Sequence, residues 1–280
     1  MSATKRVAQL ASKLPAHDKR NVLVTSALPY VNNVPHLGNL IGCVLSADVF
    51  ARFARLRGHN VLYVCGTDEY GTATETKARE EGVTPREICD KYHAIHKQVY
   101  DWFNIDFDVF GRTTTEQQTR IAQQIFLRAH KEGFVQEKEI EQLWCETDSM
   151  PLADRLVNGT CPDCGYEDAR GDQCDGCGHL INATELLKPR CSMCGNAPVV
   201  RQSKHLFLDL STLQGELEDW VAETAESGKW TKNSVAITEH WLKGGLEPRC
   251  ITRDLKWGTP VPLPGYENKV FYVWFDAPIG

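Results

Sequence analysis

The sequence predicts an α/β fold, a parallel sheet with helical crossovers that is interrupted by a cysteine-rich insertion. Three observations predict it. Short apolar runs alternate with segments of helical periodicity between Asn21 and Gly133. The texture changes at about Phe134 to short segments, glycines and charge. Six of the eleven cysteines then stand in C-x2-C pairs.

Taken in order, "NVLVTSA" reads as a buried strand, and Leu40, Ile41, Val44, Leu45, Phe50 and Ala54 recur at helical spacing as far as Arg57. "RGHN" turns the chain into "VLYVCG", a second strand, and a short helix follows through "TATETKAREEG" with Gly82 as its stop. In "TPRE", Thr84 is placed as cap, Pro85 as first helical residue and Glu87 to reach back, a capping box. That helix carries Ile88, Tyr92, Ile95, Val99 and Trp102 as its apolar positions. "FDVF" is a third short strand, and Thr114 with Gln117 caps a further helix that Gly133 ends. Such alternation with short links builds right-handed parallel crossovers, and sheets of this kind bind ligands beyond the carboxyl ends of their strands.

Four regions result: a polar, mobile arm over residues 1–20, the first half of the sheet domain over 21–133, an inserted domain over 134–248, and a return over 249–280. Inside the insertion "HLFLDL" is a strand, residues 211–227 and 234–243 are helices, and Trp220 and Trp241 are core. At the end "KVFYVWFDAPIG" reads as a buried strand and a proline loop resuming the first sheet.

The 280 residues are 42% hydrophobic and 24% charged, a globular balance. No apolar run approaches the roughly 18 residues of a membrane helix, and the first 20 residues lack a secretory apolar stretch, so a cytoplasmic protein without membrane contact is expected. A net charge of −6 argues against a sequence-independent grip on nucleic acid through overall positive charge.

In "CPDCGYEDARGDQCDGCG", Cys161, Cys164, Cys174 and Cys177 form C-x2-C-x9-C-x2-C with glycine after each second cysteine. Two residues between thiolates let one tight turn aim both sulfurs at one ion, and two such turns complete a tetrahedron. Almost no large apolar residue lies between them, so a structural zinc rather than burial orders the segment. Four thiolates leave no open position for catalysis. A redox pair is the alternative, although such pairs stand singly near a strand–helix junction. A third pair, Cys191 and Cys194, finds Cys145 and Asp148 upstream as its mates. Two readings stay open there, a Cys3Asp zinc site or a decayed site of free thiols. Cys43, Cys65, Cys89 and Cys250 read as buried small residues.

"LPYVNNVPHLGNLIG" breaks a strand into a loop with two prolines and delivers His36, Gly38 and Asn39 to a helix N-terminus. A polar ring, bare backbone and unpaired N–H groups together make an anion site. It is neither a Walker loop nor G-x-G-x-x-G. Alone, the histidine would read as a capping residue.

"PHLGN" after "SALPYVNNV" resembles the HIGH signature of class I aminoacyl-tRNA synthetases. "ALPY", "CGTDEYGT", the knuckles after "LADRLVNGT", "ITRDLKWG" and "FYVWFDAPIG" follow in the order of the methionyl-tRNA synthetase family, archaeal and eukaryotic cytosolic branch, over residues 21–280. The resemblance implies a Rossmann-type nucleotide-binding sheet and the formation of methionyl-adenylate from ATP, with Mg2+, and methionine. Transfer to tRNA(Met) follows. It implies that His36 and Asn39 contact the ATP phosphates while Gly38 lets the nucleotide approach the backbone. Asp68 pairs with the methionine ammonium; Ala27, Leu28 and Tyr30 form one wall of the methionine pocket, and Trp274, Ala277 and Pro278 the other. Arg253, in "TRD", resembles a family arginine near the ATP phosphates and methionine. The plainer alternatives are a solvated acid for Asp68, a core residue for Trp274 and an Arg253–Asp254 ion pair.

The family pattern calls for further strands, a KMSKS loop and an anticodon-binding domain after Gly280, so the chain reads as a truncated catalytic segment, weak or inactive alone, with a sheet edge prone to association. Any association with a multi-synthetase assembly or accessory protein would use those further regions. Two rivals stand beside this reading: another class I synthetase for leucine, isoleucine or valine, and a zinc-ribbon module that binds RNA without catalysis.

Overall fold

A computed structural model of the chain describes residues 14–152 and 156–279. Residues 1–13 of the expected arm, residues 153–155 and Gly280 lie outside the described residues. Two compact units emerge, Met1–Thr119 with Ala277–Gly280, and Arg120–Asp276.

The first unit runs β1 (Asn21–Thr25), α1 (Leu37–Leu56), β2 (Asn60–Thr67), α2 (Thr72–Glu81), α3 (Pro85–Trp102) and β3 (Val109–Arg112). Its strands pair in the order β1-β2-β3, both pairs parallel, with Val24 opposite Tyr63 and Val64 opposite Val109. Parallel neighbours need crossovers, and α1 supplies the first by packing Val44, Ala51 and Ala54 onto Val61 and Tyr63. Gly66 is forced by the sheet: a Cβ there would lie 2.9 Å from the backbone carbonyl group of Gly111 on β3. Residues just before β1 are tied down, for Asn60 Nδ2 donates to the Leu14 carbonyl at 2.9 Å.

Periodicity misplaced several details. α1 opens with one α turn, widens into a π segment over Leu40–Leu45 and closes as α-helix over Ser46–Leu56. The wide turn lets the Val44 carbonyl accept the Tyr63 hydroxyl at 2.8 Å, and it shifts the apolar stripe so that Ile41 and Phe50 are exposed. α1 is, by length and composition alone, long and apolar enough to cross a membrane, contrary to the expectation from the sequence. Yet Asp48 is buried in its middle, paired with Arg52 at 2.6 Å. On α3 the capping box forms as expected, but the buried line drifts through Cys89, Tyr92, His96 and Tyr100 and leaves Trp102 79% exposed. β3 begins two residues later than "FDVF". The cap of the next helix is Thr115, whose hydroxyl accepts from Gln118 N at 3.2 Å, because Thr114 donates its hydroxyl to Glu69 instead.

α4 (Glu116–Lys131) leads into the second unit, followed by β4 (Val135–Cys145), β5 (Met150–Leu152), β6 (Val157–Thr160), β7 (Ala169–Arg170), β8 (Leu187–Cys191), β9 (Val199–Leu208), α5 (Leu210–Ser227), α6 (Lys232–Gly244), β10 (Arg249–Cys250), β11 (Thr252–Arg253), β12 (Val270–Phe271) and α7 (Val273–Asp276). An antiparallel sheet, β10-β9-β4-β5, and a smaller one, β7-β6-β8, carry it. Leu143, Leu152, Leu156, Val157 and Ile181 form its core together with Cys161, Cys174 and Cys191. Trp220 and Trp241, expected in the core, are each more than half exposed because α5 and α6 turn those faces outward. The terminal segment is also corrected. Only Val270–Phe271 is strand, it pairs antiparallel with β11, and Trp274 follows on the short helix α7. Among the described residues it adds no strand to the parallel sheet.

Candidate active site

The loop after β1 and the loop after β2 are laced together by backbone. Asp68 N donates to the Pro29 carbonyl at 2.9 Å and Val31 N to the Asp68 carbonyl at 3.3 Å, so Tyr30 and Asp68 form an isolated parallel bridge just past the strand ends. Cys43 of α1 donates its thiol to the Ala27 carbonyl at 3.4 Å, and Ser26 bonds the Tyr63 hydroxyl at 3.0 Å. These contacts hold Ala27, Leu28 and Tyr30 at the carboxyl edge of the sheet, where a parallel sheet offers its ligand crevice.

His36 is the N-cap of α1. Its Nδ1 accepts from Gly38 N at 3.0 Å, and its own N–H donates to Asn39 Oδ1 at 3.1 Å. The two side chains expected to meet phosphate are thus engaged in the turn, His36 as the cap that it would read as alone, while remaining exposed or half-exposed at a helix start. An incoming phosphate would take over donors at a terminus whose dipole already favours negative charge. Gly38 has a second reason to be glycine: a Cβ there would sit 2.9 Å from His36 Cε1.

Asp68 is 5% exposed, which sets it apart from a solvated loop acid. Its neighbour Glu69, unremarked in the sequence, is 0% exposed and anchors the loop. Arg112 Nε donates to Glu69 Oε1 at 2.6 Å, Thr67 Oγ1 donates to it at 2.9 Å, and Thr114 donates to Oε2. Only the adjacency of two acids in "TDEYG" could have hinted at it.

In the second unit a cavity of about 630 Å³ is lined by Arg253, Tyr272 and Trp274 together with His205, Phe207 and Cys250. Trp274 Nε1 donates to the Cys250 carbonyl at 2.9 Å, and the Arg253 guanidinium lies 3.6 Å from the Tyr272 ring centroid. Asp254 bonds His205 Nε2 at 3.1 Å and also pairs with Lys269. Burial opposes its charge, but these two partners hold its carboxyl well below the usual carboxylate range. Thus Arg253 and Trp274 share one cavity. Ala277 and Pro278 lie on the 3-10 turn Ala277–Ile279, which groups with the first unit, as do Ala27, Leu28, Tyr30, His36, Gly38, Asn39 and Asp68.

Two tetrads of candidate metal ligands are assembled, Cys161, Cys164, Cys174 and Cys177, and Cys145, Asp148, Cys191 and Cys194, each with its ligand atoms within 4.8 Å of one another. A tetrahedral zinc thiolate requires sulfurs about 3.8 Å apart. Cys161 and Cys177 stand 3.9 Å apart, and Cys164 and Cys174 3.6 Å. In the second tetrad Cys145 and Cys194 are 3.5 Å apart and Asp148 Oδ2 is 3.1 Å from both Cys145 and Cys191. Gly165, Gly178 and Gly195, each with φ near +75° and each donating to the first cysteine of its pair, close three knuckles. Ser149, with φ of 50°, occupies the corresponding place after Asp148. Both donor sets therefore fit zinc, and the second is assembled rather than scattered.

The family model described as tRNA synthetases class I (M) matches residues 22–280. The human cytoplasmic methionine–tRNA ligase is 67% identical over 267 residues, 95% of this chain and 30% of its own length. A probable cytoplasmic methionine–tRNA ligase of Schizosaccharomyces pombe is 64% identical over 267 residues, 95% of this chain and 34% of its own. The chain thus spans about a third of the length of these curated relatives. The Mycobacterium tuberculosis methionyl-tRNA synthetase, solved in complex with methionyl-adenylate, superposes with a TM-score of 0.65 at 22% identity, covering 91% of this chain and 45% of that one, and so shares its fold. With its family model matched from residue 22 to residue 280, the chain belongs to the class I tRNA synthetases of the methionyl type.

Proposed function

We propose that the protein carrying this chain activates methionine with ATP and transfers the methionyl group to tRNA(Met) in the cytoplasm. The observation that carries the reading is the pairing of His36, Gly38 and Asn39 at a helix N-terminus with a buried Asp68 on the next loop of the same sheet edge. Activation is an in-line attack of a carboxylate on the α-phosphorus, so the protein need only orient the reactants and stabilise charge on the phosphoryl oxygens. His36 and Asn39 contact the phosphates of ATP, which enters with Mg2+, and Gly38 leaves its backbone open to the nucleotide. Asp68 pairs with the ammonium of methionine and rejects ligands lacking that charge. Ala27, Leu28 and Tyr30, with Trp274, Ala277 and Pro278, hold the thioether, whose sulfur packs well against ring edges. Arg253 supplies positive charge near the phosphates. One structural zinc sits on Cys161, Cys164, Cys174 and Cys177, and a second on Cys145, Asp148, Cys191 and Cys194. The expected inserted-domain boundaries, 134 and 248, belong to this reading.

The test is methionine-dependent ATP–pyrophosphate exchange by the protein at the length of its relatives, wild type against His36→Ala and Asp68→Ala. Loss of exchange in His36→Ala and a raised KM for methionine in Asp68→Ala are expected. Exchange with leucine, isoleucine or valine in place of methionine would transfer the reading to another synthetase. Tight RNA binding with no adenylate formed would leave a zinc-ribbon module.

A further inference from the structure

We propose that His96 and His93, three residues apart on α3, are positioning residues that hold the two site loops on a common base, His96 through the Asn33 carbonyl and His93 through the Thr67 hydroxyl. The apolar pattern of α3 in the sequence passes over both rings.

His96 is 1% exposed and lies beneath the loop after β1. Its Nε2 stands 2.9 Å from the Asn33 carbonyl oxygen, which can only accept, so Nε2 carries hydrogen. Its Nδ1 stands 3.3 Å from the Tyr100 hydroxyl. Tyr100 is itself buried and meets Phe107 and Phe110 edge-on, so the ring of His96 rests on the core of the sheet domain. The segment it holds is quite different. Asn33 and Val34 are exposed, and the Asn33 side chain is occupied by Val34 N at 2.8 Å. Asn33 stands three residues after Tyr30 and three before His36. A core histidine therefore grips an exposed loop midway between a residue of the expected methionine wall and the cap of α1.

His93 does the same for the loop after β2, with its other nitrogen. The Thr67 hydroxyl gives its hydrogen to Glu69 Oε1 at 2.9 Å, so toward His93 Nδ1, at 2.8 Å, it accepts and Nδ1 is the donor. The ring lies against Phe110 with centroids 5.2 Å apart. Thr67 ends β2 and directly precedes Asp68. Burial pushes the pKa of both rings down, and Arg112 adds to this at His93, in keeping with rings that carry one hydrogen each. The loops already meet at the Tyr30–Asp68 bridge, and α3 fixes that bridge to the body of the unit. A displacement of about 1 Å at such a distance from the chemistry can cost on the order of a hundredfold in rate. That the two ties serve methionine activation rests on the proposed function; that they order the loops does not.

Glutamine places an amide N–H2 where Nε2 stands and asparagine where Nδ1 stands, so rescue is expected to cross between the two positions. The assay is methionine-dependent ATP–pyrophosphate exchange by the protein at the length of its relatives. His96→Ala is expected to lower kcat about tenfold, with His96→Gln recovering most of it and His96→Asn little. His93→Ala is expected to raise KM for methionine about tenfold, with His93→Asn recovering it and His93→Gln not. Amide hydrogen exchange of the same proteins, read by mass spectrometry, should quicken over residues 27–39 in His96→Ala and over 66–72 in His93→Ala, with the same crossed rescue. A side chain that only filled space would not tell the two amides apart in opposite senses. Should the alanine variants fail to fold, the glutamine and asparagine variants decide. Equal behaviour of glutamine and asparagine at either position, or alanine variants that match wild type in both assays, overturns the proposal. A wild type that does not activate methionine removes the proposed function instead, and hydrogen exchange across the four amide variants still judges the two rings.

Discussion

Glu69→Gln is the substitution from which the loop carrying Asp68 has most to lose. The carboxylate is 0% exposed and takes Arg112 Nε at 2.6 Å, the Thr67 hydroxyl at 2.9 Å and the Thr114 hydroxyl, with Arg86 at 3.8 Å. Glutamine keeps the shape and one acceptor but removes the charge that two guanidiniums face. Its amide N–H2 replaces an acceptor with a donor. Breaking a buried pair by removing one partner costs about 3–5 kcal/mol, and an isosteric change belongs at the lower end, about 3 kcal/mol. Arg112 retains Asp90 at 2.6 Å, but that carboxylate is largely exposed and contributes little. The assay is native-state hydrogen exchange at the amides of β2 and β3 that open only with the first unit. A loss of about 3 kcal/mol makes them exchange about 150-fold faster, at 1.36 kcal/mol per tenfold. Acceleration below about tenfold would refute the assignment of Glu69 as the anchor.

Gly38→Ala is expected to push a methyl group against the His36 ring, 2.9 Å from Cε1, and to lower kcat/KM for ATP by about tenfold while circular dichroism is unchanged; unaltered kinetics would count against a phosphate role for that turn. Zinc analysis should find two ions per chain in wild type and one in Asp148→Ala, and chelation should unfold the knuckles, which each ion stabilises by on the order of 10 kcal/mol. One ion in wild type would leave the second tetrad as thiols. The His205–Asp254 pair gives the second unit a pH dependence with two signs. Asp254, whose folded pKa is lowered, stabilises above the ordinary carboxylate value of about 3.9, and that contribution is lost as pH falls through its folded value. His205 is buried, yet Asp254 raises its pKa, so its contribution is whole below about 6.5 and lost as pH rises through its folded value. The urea midpoint of wild type should exceed that of Asp254→Asn by more at about pH 5.5 than at about pH 9; equal differences would exclude the ion pair.

Much of the site was legible because its signals are local. A capping box, a knuckle and a strand–helix alternation each act across a few residues, and the spacing of Thr84 with Glu87 or Cys161 with Cys164 states the geometry outright. Glu69 was not legible: its partners Arg112 and Thr114 are 43 and 45 residues away. Nor was the exposure of Trp102, since a stripe that advances by 3.6 residues per turn drifts and only packing tells which neighbour it reaches. The π segment in α1 belongs with these, for the Tyr63 hydroxyl that satisfies its Val44 carbonyl comes from another strand.

By itself, then, the sequence determined the alternation of strands and helices between Asn21 and Gly133, the first cysteine tetrad and the family, and left the second tetrad open. Tertiary structure alone decided that the last segment pairs antiparallel with Thr252–Arg253, and that Thr252 and Asp254, 47 and 49 residues beyond His205, close around its ring. The reason is range. Backbone geometry and capping chemistry act between near neighbours and leave a pattern in spacing, whereas burial and charge pairing join residues through space, and no spacing along the chain records which ones will meet.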